Sequence, residues 1–419
     1  MSLRSRLVAL SPALLILLAA SCTEKLDSIA GCPDLCTGQG APIQTLVLEP
    51  VTLDTTLSAS SEFATETYLF IGNRGDTLDT RGIIRIDSVP AKYAKPVSAD
   101  SSDISTVDSA FLSVRVDRRG SILPEQVTID AYDVDLPDPN PTEVADLFTP
   151  DRLIGSRTIA RDSLKDSLRI PLSNAAVLAK AKNRGRLRIG IKARNASTQF
   201  GIFATETGRG AHVSFRVSAD TAVRPILLFP VSSTPTGDLG TSNAYADYTL
   251  AVKTPPQGPT SGINIGGYPA RLTYLRFAIP QNIVDSSIVV RARLILTQIP
   301  NDQLSAADTI NIIPLVGAAA ATVTDVARAA RVTIDRNTAL VDSLLVPVRE
   351  SAVRRIEIGV ALQAWRIQSA TTAPHALILR SGAEGVSIAE GRFYSIEAAP
   401  NLRPRLEISY TPRTSFGRP

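Results

Sequence analysis

The side chains that could support catalysis are few and dispersed. The chain has two histidines, His212 and His375, and neither lies in a serine-glycine or carboxylate pattern typical of a Ser-His-Asp triad. Glu206 and Glu397 could form the paired carboxylates of a glycosidase, but they occupy matching positions in two similar halves, which a shared structural role explains more simply. The Gly-Gly pair at 266–267 is typical of a turn, not of a phosphate-binding loop. We therefore expect no enzymatic activity and no organic cofactor.

An aspartate-rich stretch offers oxygen ligands for a metal ion. Asp130, Asp133, Asp135 and Asp138 follow one another closely in the sequence, and carboxylates are the ligands that calcium prefers. The stretch lacks the glycine turn and the closing glutamate of a standard calcium loop. A solvated acidic loop is the simpler interpretation, and calcium binding is the alternative.

Aromatic residues with polar neighbours are the candidates for binding a sugar, because an exposed ring can stack on a sugar face. Trp365 is the only tryptophan and lies in L-Q-A-W-R-I-Q, with Gln363 and Arg366 beside it. Tyr268 and Tyr132 are further candidates. Tryptophan also has a large apolar surface to bury, so the alternative is that Trp365 packs in the core or at the rim of a sandwich.

The N-terminus has the pattern of an export signal. Arg4 and Arg6 precede an apolar run at 7–20, as in a secretory signal peptide, and this run is shorter than the roughly 20 residues that a transmembrane helix needs. L-A-A-S-C at 18–22 follows and resembles the lipobox of bacterial lipoproteins. The resemblance implies removal of residues 1–21 and acylation of the Cys22 thiol. Thr23, where some lipoproteins have aspartate, is by the same resemblance typical of sorting to the outer membrane.

The other two cysteines are Cys32 and Cys36, in C-P-D-L-C. An exported segment meets oxidising conditions, which favour a local disulfide between them. Zinc would need further ligands, and both histidines are far away in the sequence. We expect residues 22–42, which contain this pair, to form a flexible tether.

Composition excludes some partners. The chain has 44 lysines and arginines against 40 acidic residues, and removal of the signal brings the balance closer to neutral. Nucleic-acid binding requires a concentrated basic surface, so we expect none. Aromatic residues make up 5% of a sequence that is 44% hydrophobic, which indicates cores of aliphatic side chains.

Two similar halves are indicated by a repeated motif. D-S-L-R-I-P-L-S-N-A-A-V at 166–177 is followed by D-S-L-L-V-P-V-R-E-S-A-V at 342–353. Other strand-like runs recur in the same order, such as those at 111–116 and 292–296. The repeat predicts two tandem domains at 43–222 and 223–412, with a C-terminal tail at 413–419.

The fold class follows from many short, β-branched runs with alternating polarity, separated by turn residues. This pattern predicts an all-β protein. Eight or nine strands in each half favour two jelly-roll-like antiparallel β-sandwich domains.

The second half also carries a family likeness. Y-L-R-F at 274–277, the strand R-A-R-L-I-L, F-Y-S-I-E at 393–397 and R-P-R-L-E-I-S-Y at 403–410 resemble the DNRLRE-type β-sandwich domain. The departures are Ala278, where that family has aspartate, and the first half, which lacks the closing proline. The resemblance implies a β-sandwich similar to carbohydrate-binding modules.

Together these patterns predict a non-catalytic lipoprotein of the cell envelope, held at the membrane by its N-terminal lipid. The expected ligand is a polysaccharide or another surface molecule. The alternative is a structural or adhesive subunit that binds an envelope protein.

Overall fold

The architecture is taken from a computed structural model, which describes residues 43–49, 54–59, 67–95, 100–136, 141–218, 222–231, 245–259, 261–318, 342–367 and 375–412. Most of these residues lie in antiparallel strands, so the predicted all-β fold is confirmed. Cys22, Cys32, Cys36 and the tail at 413–419 lie outside the described residues. Within them, no helix has the length and hydrophobicity required to span a bilayer.

The elements follow one another in three groups along the chain. The first group is β1 (Gln44–Leu48) and β2 (Asp54–Ala59). The second is β3 (Tyr68–Asn73), β4 (Asp79–Ile86), β5 (Lys92–Ala94), β6 (Ser101–Asp103), β7 (Ser109–Ile122), β8 (Gln126–Asp133), α1 (Pro141–Asp146), β9 (Leu153–Ala160), β10 (Ser167–Leu172), α2 (Asn174–Lys182), β11 (Leu187–Ala193), β12 (Thr198–Phe203), β13 (His212–Arg216), β14 (Ile226–Leu228) and β15 (Asp247–Lys253). The third is β16 (Ile263–Gly266), β17 (Ala270–Phe277), α3 (Gln281–Asp285), β18 (Ser287–Ile299), β19 (Thr309–Ala318), β20 (Leu344–Pro347), β21 (Val353–Glu357), α4 (Gly359–Ile367), β22 (His375–Ser381), β23 (Glu390–Phe393) and β24 (Arg405–Pro412).

All strands of the second group except β5 and β6 form one sheet, which closes on itself, whereas β5 and β6 pair only with each other. Its strand order is β10-β9-β8-β11-β4-β3-β12-β7-β13-β14, and β10 also pairs with β7, so eight strands form a ring. β15 pairs with β4 outside the ring. The alternation that the sequence predicts is present in β10, whose exposed and buried residues alternate strictly, because successive side chains of a strand point to opposite faces.

The third group combines with the first in another sheet. The order is β1-β24-β18-β23-β16-β17-β22-β19-β20, with β2 paired to β17 and β21 paired to β18. The N-terminal strands therefore belong with the C-terminal half. We call the segment at 67–253 the inserted unit, and β1, β2 and residues 261–412 together the host unit.

This strand pairing corrects the predicted domain boundaries. The sequence assigns β1 and β2 to a first domain at 43–222, and β14 and β15 to a second domain at 223–412. Instead β1 and β2 pair with strands of the second half, and β14 and β15 pair with strands of the first half. One unit is nested inside the other, since the chain leaves the host unit after β2 and returns to it before β16.

The repeated D-S-L motif also occupies two different positions. In the inserted unit it forms β10, which pairs with β7 and is followed by the helix α2. In the host unit it forms β20, which pairs with β19. The host-unit strand that corresponds to β10 is instead β21, because it pairs with the long strand β18 and is followed by the helix α4. The motif encodes a turn, an apolar strand and a closing proline. Any strand that begins after a turn can have this local pattern, so the repeat does not identify equivalent strands.

The two units share a packed contact at β3. Leu69 and Ile71 point into the core of the inserted unit, while Phe70, between them, packs into the core of the host unit. The centre of the Phe70 ring lies 5.1 Å from that of Tyr268. Gly201 in β12 lets the host approach closely, because a Cβ atom there would lie 2.5 Å from Cγ1 of Val386.

An ion pair lies beside this apolar contact. Nη1 of Arg74 donates to both carboxylate oxygens of Asp308, at 2.9 and 3.0 Å. The Asp308 side chain is only 2% exposed, and its Oδ2 also accepts a hydrogen bond from the backbone N–H of Ser305 at 2.8 Å. Removing one partner from a buried pair leaves an uncompensated charge, so loss of either side chain would weaken the contact between the units.

Candidate ligand-binding groove

The side chains that the sequence analysis selected do not come together in one site. Trp365 is 3% exposed and belongs to the host core, where its ring centre lies 5.1 Å from that of His375. Of the two interpretations of Trp365, the structure agrees with packing in the core and not with an exposed platform for a sugar. The physical reason is the helix α4, which turns Ala361, Leu362 and Trp365 towards the core on one stripe.

The neighbours of Trp365 do not complete a sugar site with it. Gln363 is exposed and lines a separate shallow groove with Val284 and Ile288. Arg366 lies in α4, but its side chain is outside the described part of the structure. Tyr268 packs against Phe70 in the contact between the units.

Tyr132 is likewise a packing residue. Its ring centre lies 5.1 Å from that of Phe148, in a small apolar cluster of the inserted unit. Burial, followed by the negative charge of Asp130, raises the pKa of the Tyr132 phenol above its usual value. Tyr132 and Tyr268 therefore belong to different packing clusters.

The aspartates considered for calcium are engaged by cations. Asp130 accepts from Arg194 and Ser156, and Lys180 lies 2.9 Å from Asp133 and 3.3 Å from Asp135. Asp138 lies outside the described residues. Among those that are described, no three metal-ligating side chains form a cluster, so the calcium alternative is not supported there.

A different surface combines the features that ligand binding requires. A groove of about 360 Å³ runs over β7, β10, β13 and β14. The side chains that matter most for its chemistry are Phe111 and Ser113 of β7, Arg169 of β10, and His212, Ser214 and Arg216 of β13. We call this surface the β7–β13 groove.

Register explains why these side chains share one face. Ser113 lies opposite both Arg169 and His212, and Phe111 lies opposite Ser214. Residues directly opposite in paired strands point to the same face of the sheet. The intervening residues of β7, Ala110, Leu112 and Val114, fill the core. The core thus holds the strand in place while its polar face remains open.

The centre of the groove is an arginine stacked on an aromatic ring. The guanidinium carbon of Arg169 lies 3.6 Å from the centre of the Phe111 ring, which is a cation–π contact. The stack holds the long Arg169 side chain against the sheet. Phe111 is half-buried, so part of its surface remains open beside the hydroxyl groups of Ser113 and Ser214.

His212 lies next to this stack. Burial, followed by the positive charges of Arg115 and Arg169, lowers the pKa of His212 below its usual value, so the imidazole is neutral at pH 7. Ser113 faces it across the strand pair, but no carboxylate among the described residues orients the ring as a triad would require. The groove is therefore equipped for binding, through aromatic faces, hydroxyl groups and guanidinium donors.

The sequence carries a signal for this groove in the alternation of S-A-F-L-S-V-R-V at 109–116. Phe111 stands on the polar side of that pattern, which is unusual for an aromatic residue in a strand whose other face is core. The partner strand β13 lies about a hundred residues further along the chain. Its placement beside β7 cannot be read from the local pattern.

Comparisons with known proteins assign neither a family nor a function to the chain. No known protein family matches the chain, and no curated protein is significantly similar. A solved protein of Parabacteroides distasonis is 9% identical, with 87% of this chain and 99% of that one covered and a TM-score of 0.22. The Macrobrachium rosenbergii nodavirus structure is 9% identical, with 92% and 98% covered and a TM-score of 0.18. Similarities this low support no inference about function.

Proposed function

We propose that this chain is a non-catalytic binding protein of the bacterial cell envelope, which binds carbohydrate in the β7–β13 groove and is lipid-anchored through Cys22 at the outer membrane. The observation that carries the proposal is the stack of Arg169 on the half-buried ring of Phe111. The serine hydroxyl groups beside it can exchange hydrogen bonds with sugar hydroxyl groups. An aromatic face with a few convergent polar groups is typical of small-ligand sites.

Lipid anchoring rests on the lipobox and has its own experiment. We expect Cys22→Ser to abolish incorporation of labelled fatty acid, because serine lacks the thiol that accepts the lipid. The full chain should then be recovered without acyl groups, as measured by mass spectrometry. Cys36→Ser is the matched control and should retain the lipid. Equal labelling of the two variants would contradict acylation at Cys22.

Carbohydrate binding is tested at Phe111. We expect the purified full chain to be retarded in affinity gels that contain its polysaccharide ligand, and Phe111→Ala to weaken binding by about tenfold, since it removes both the aromatic face and the support of Arg169. Leu345→Ala is the control, because Leu345 is 64% exposed and lies in the host unit. The proposal fails if no polysaccharide is bound, or if the two variants bind equally well.

An envelope protein is the second candidate ligand. Leu227 and Phe229, beside the groove, are 52% and 59% exposed, and aromatic and arginine side chains are enriched in protein interfaces. Crosslinking in native envelopes should then recover one defined protein, and Phe229→Ala should abolish that product. Recovery of monomer alone would count against this candidate.

A further inference from the structure

The β7–β13 groove has three arginines that form no salt bridge with a carboxylate of the described residues. Arg115, Arg169 and Arg216 lie on its face or border it. Some arginines elsewhere in the inserted unit are paired with carboxylates, as Arg194 is with Asp130 and Arg186 is with Asp135. Among the described residues, no salt bridge involves the three arginines of the groove. Their guanidinium groups therefore keep donors available for an external partner.

The three charges are distributed along the groove. Arg115 pairs with Ser167 at one end, and Arg169, which pairs with Ser113, extends from there so that its guanidinium lies over Phe111. Arg216 pairs with Ser109 at the other end. Ser109 and Ser113 are four positions apart on β7, which corresponds to about 13 Å along the strand. Phe111 lies between the two ends.

This arrangement favours a polymer with repeated negative charge. A single small anion could contact one end only, whereas a chain with an acidic group on successive units could contact both ends and still lie against the part of Phe111 that Arg169 leaves open. Guanidinium groups bind carboxylates and sulfates through paired hydrogen bonds. The neutral state of His212 adds a further donor or acceptor at the same position.

Building on the proposed carbohydrate function, we infer that the ligand is an acidic polysaccharide, with carboxylate or sulfate groups held by Arg115 at one end of the groove, by Arg169 over Phe111 and by Arg216 at the other end. The guanidinium groups select charge, while Phe111 and the serines contact the sugar rings. Binding to this surface depends on ionic strength, because exposed charges are screened by salt.

The experiment compares ligands that differ only in charge. The full chain, in detergent, is run in affinity gels with polygalacturonate against its methyl ester, and with dextran sulfate against dextran. We expect retardation by at least one charged polymer, with little or none by its uncharged counterpart. Raising salt from 50 mM to 500 mM should weaken the binding by about tenfold or more, as expected for charge-driven association.

Substitutions of single arginines then test which of them bind the charged polymer. Arg169→Gln and Arg216→Gln should each weaken binding of the charged polymer by about tenfold, the usual effect of losing a charge-assisted contact. Arg355→Gln is the matched control, since Arg355 is an exposed arginine on β21 of the host unit. It removes the same charge from the whole molecule and should leave binding unchanged. Thermal unfolding of all variants checks that they are folded.

The outcomes separate this inference from the proposed function. Equal binding of charged and uncharged polymers, dependent on Phe111, would overturn the acidic ligand and leave carbohydrate binding in place. Equal losses in Arg169→Gln and Arg355→Gln would overturn the assignment of the groove. Binding of none of the four polymers would overturn the acidic ligand, and a wider panel of neutral polysaccharides would then decide the proposed function.

Discussion

Phe70→Ala should lower the free energy of unfolding by about 3–5 kcal/mol, the usual cost of truncating a fully buried phenylalanine. Phe70 has no exposed surface and belongs to the host core although its strand, β3, lies in the inserted unit. Truncation leaves a cavity between the units and removes the contact with Tyr268. We therefore expect the two units, which share this contact, to unfold less cooperatively in calorimetry.

Leu69→Ala is the matched control for this experiment. Leu69 is the adjacent residue of the same strand and is equally buried, but it packs into the core of the inserted unit. It should destabilise that unit without loosening the contact between the units. A loss of less than about 1 kcal/mol for Phe70→Ala would be far below the range for a buried phenylalanine and would contradict the packing of β3 described above.

Asp247→Asn should stabilise the protein at alkaline pH and have little effect at acidic pH. Asp247 is buried on β15, and its Oδ2 accepts hydrogen bonds from the backbone N–H and the hydroxyl of Thr205, at 2.9 and 2.6 Å. Burial raises the pKa of its carboxyl to about 6, against the opposing effect of Thr205. The same group in an unfolded chain titrates at about 3.9.

The sign of the pH dependence follows from the direction of this shift. The folded state keeps the Asp247 proton to a higher pH than the unfolded state does, so stability is lost as the pH rises from about 4 to about 6 and stays at the lower level above that. A difference of about two pKa units corresponds to at most about 3 kcal/mol at pH 8. Asparagine is neutral at every pH, and the variant should escape this loss.

Urea unfolding at pH 4.5 and pH 8 measures the effect. The midpoint of Asp247→Asn should exceed that of the wild type at pH 8 and approach it at pH 4.5. Asp108→Asn is the control, because Asp108 is exposed and should give similar midpoints to the wild type at both values. An Asp247→Asn effect of the same size at pH 4.5 and pH 8 would show that ionisation of this carboxyl is not its cause.

The fold class could be predicted because it depends on local pattern. Alternation in β7 and β10 specifies which side chains are buried, and that information lies within a few residues. The nesting of the units could not be predicted, because it depends on pairs such as Thr45 with Ser409, which are 364 residues apart. Sequence similarity between the halves pointed instead to tandem domains.

The groove was missed for a related reason. Phe111 and Arg169 are unremarkable by composition, and only the pairing of β7 with both β10 and β13 places them beside His212. The sequence analysis selected Trp365 as a candidate for sugar binding because tryptophan is common in sugar sites. The spacing of Ala361, Leu362 and Trp365 matches one stripe of a helix, which favours burial, and the structure places all three in the core.

The nesting of the units also determines when each can fold during synthesis. The inserted unit is a continuous segment and has all its strands once residue 253 has been made. β1 must wait for β24, near the C-terminus, and at synthesis rates of about 5–20 residues per second this delay is on the order of tens of seconds. β1 remains an unpaired edge until β24 appears, and β2 until β17 appears, and such edges are prone to aggregation.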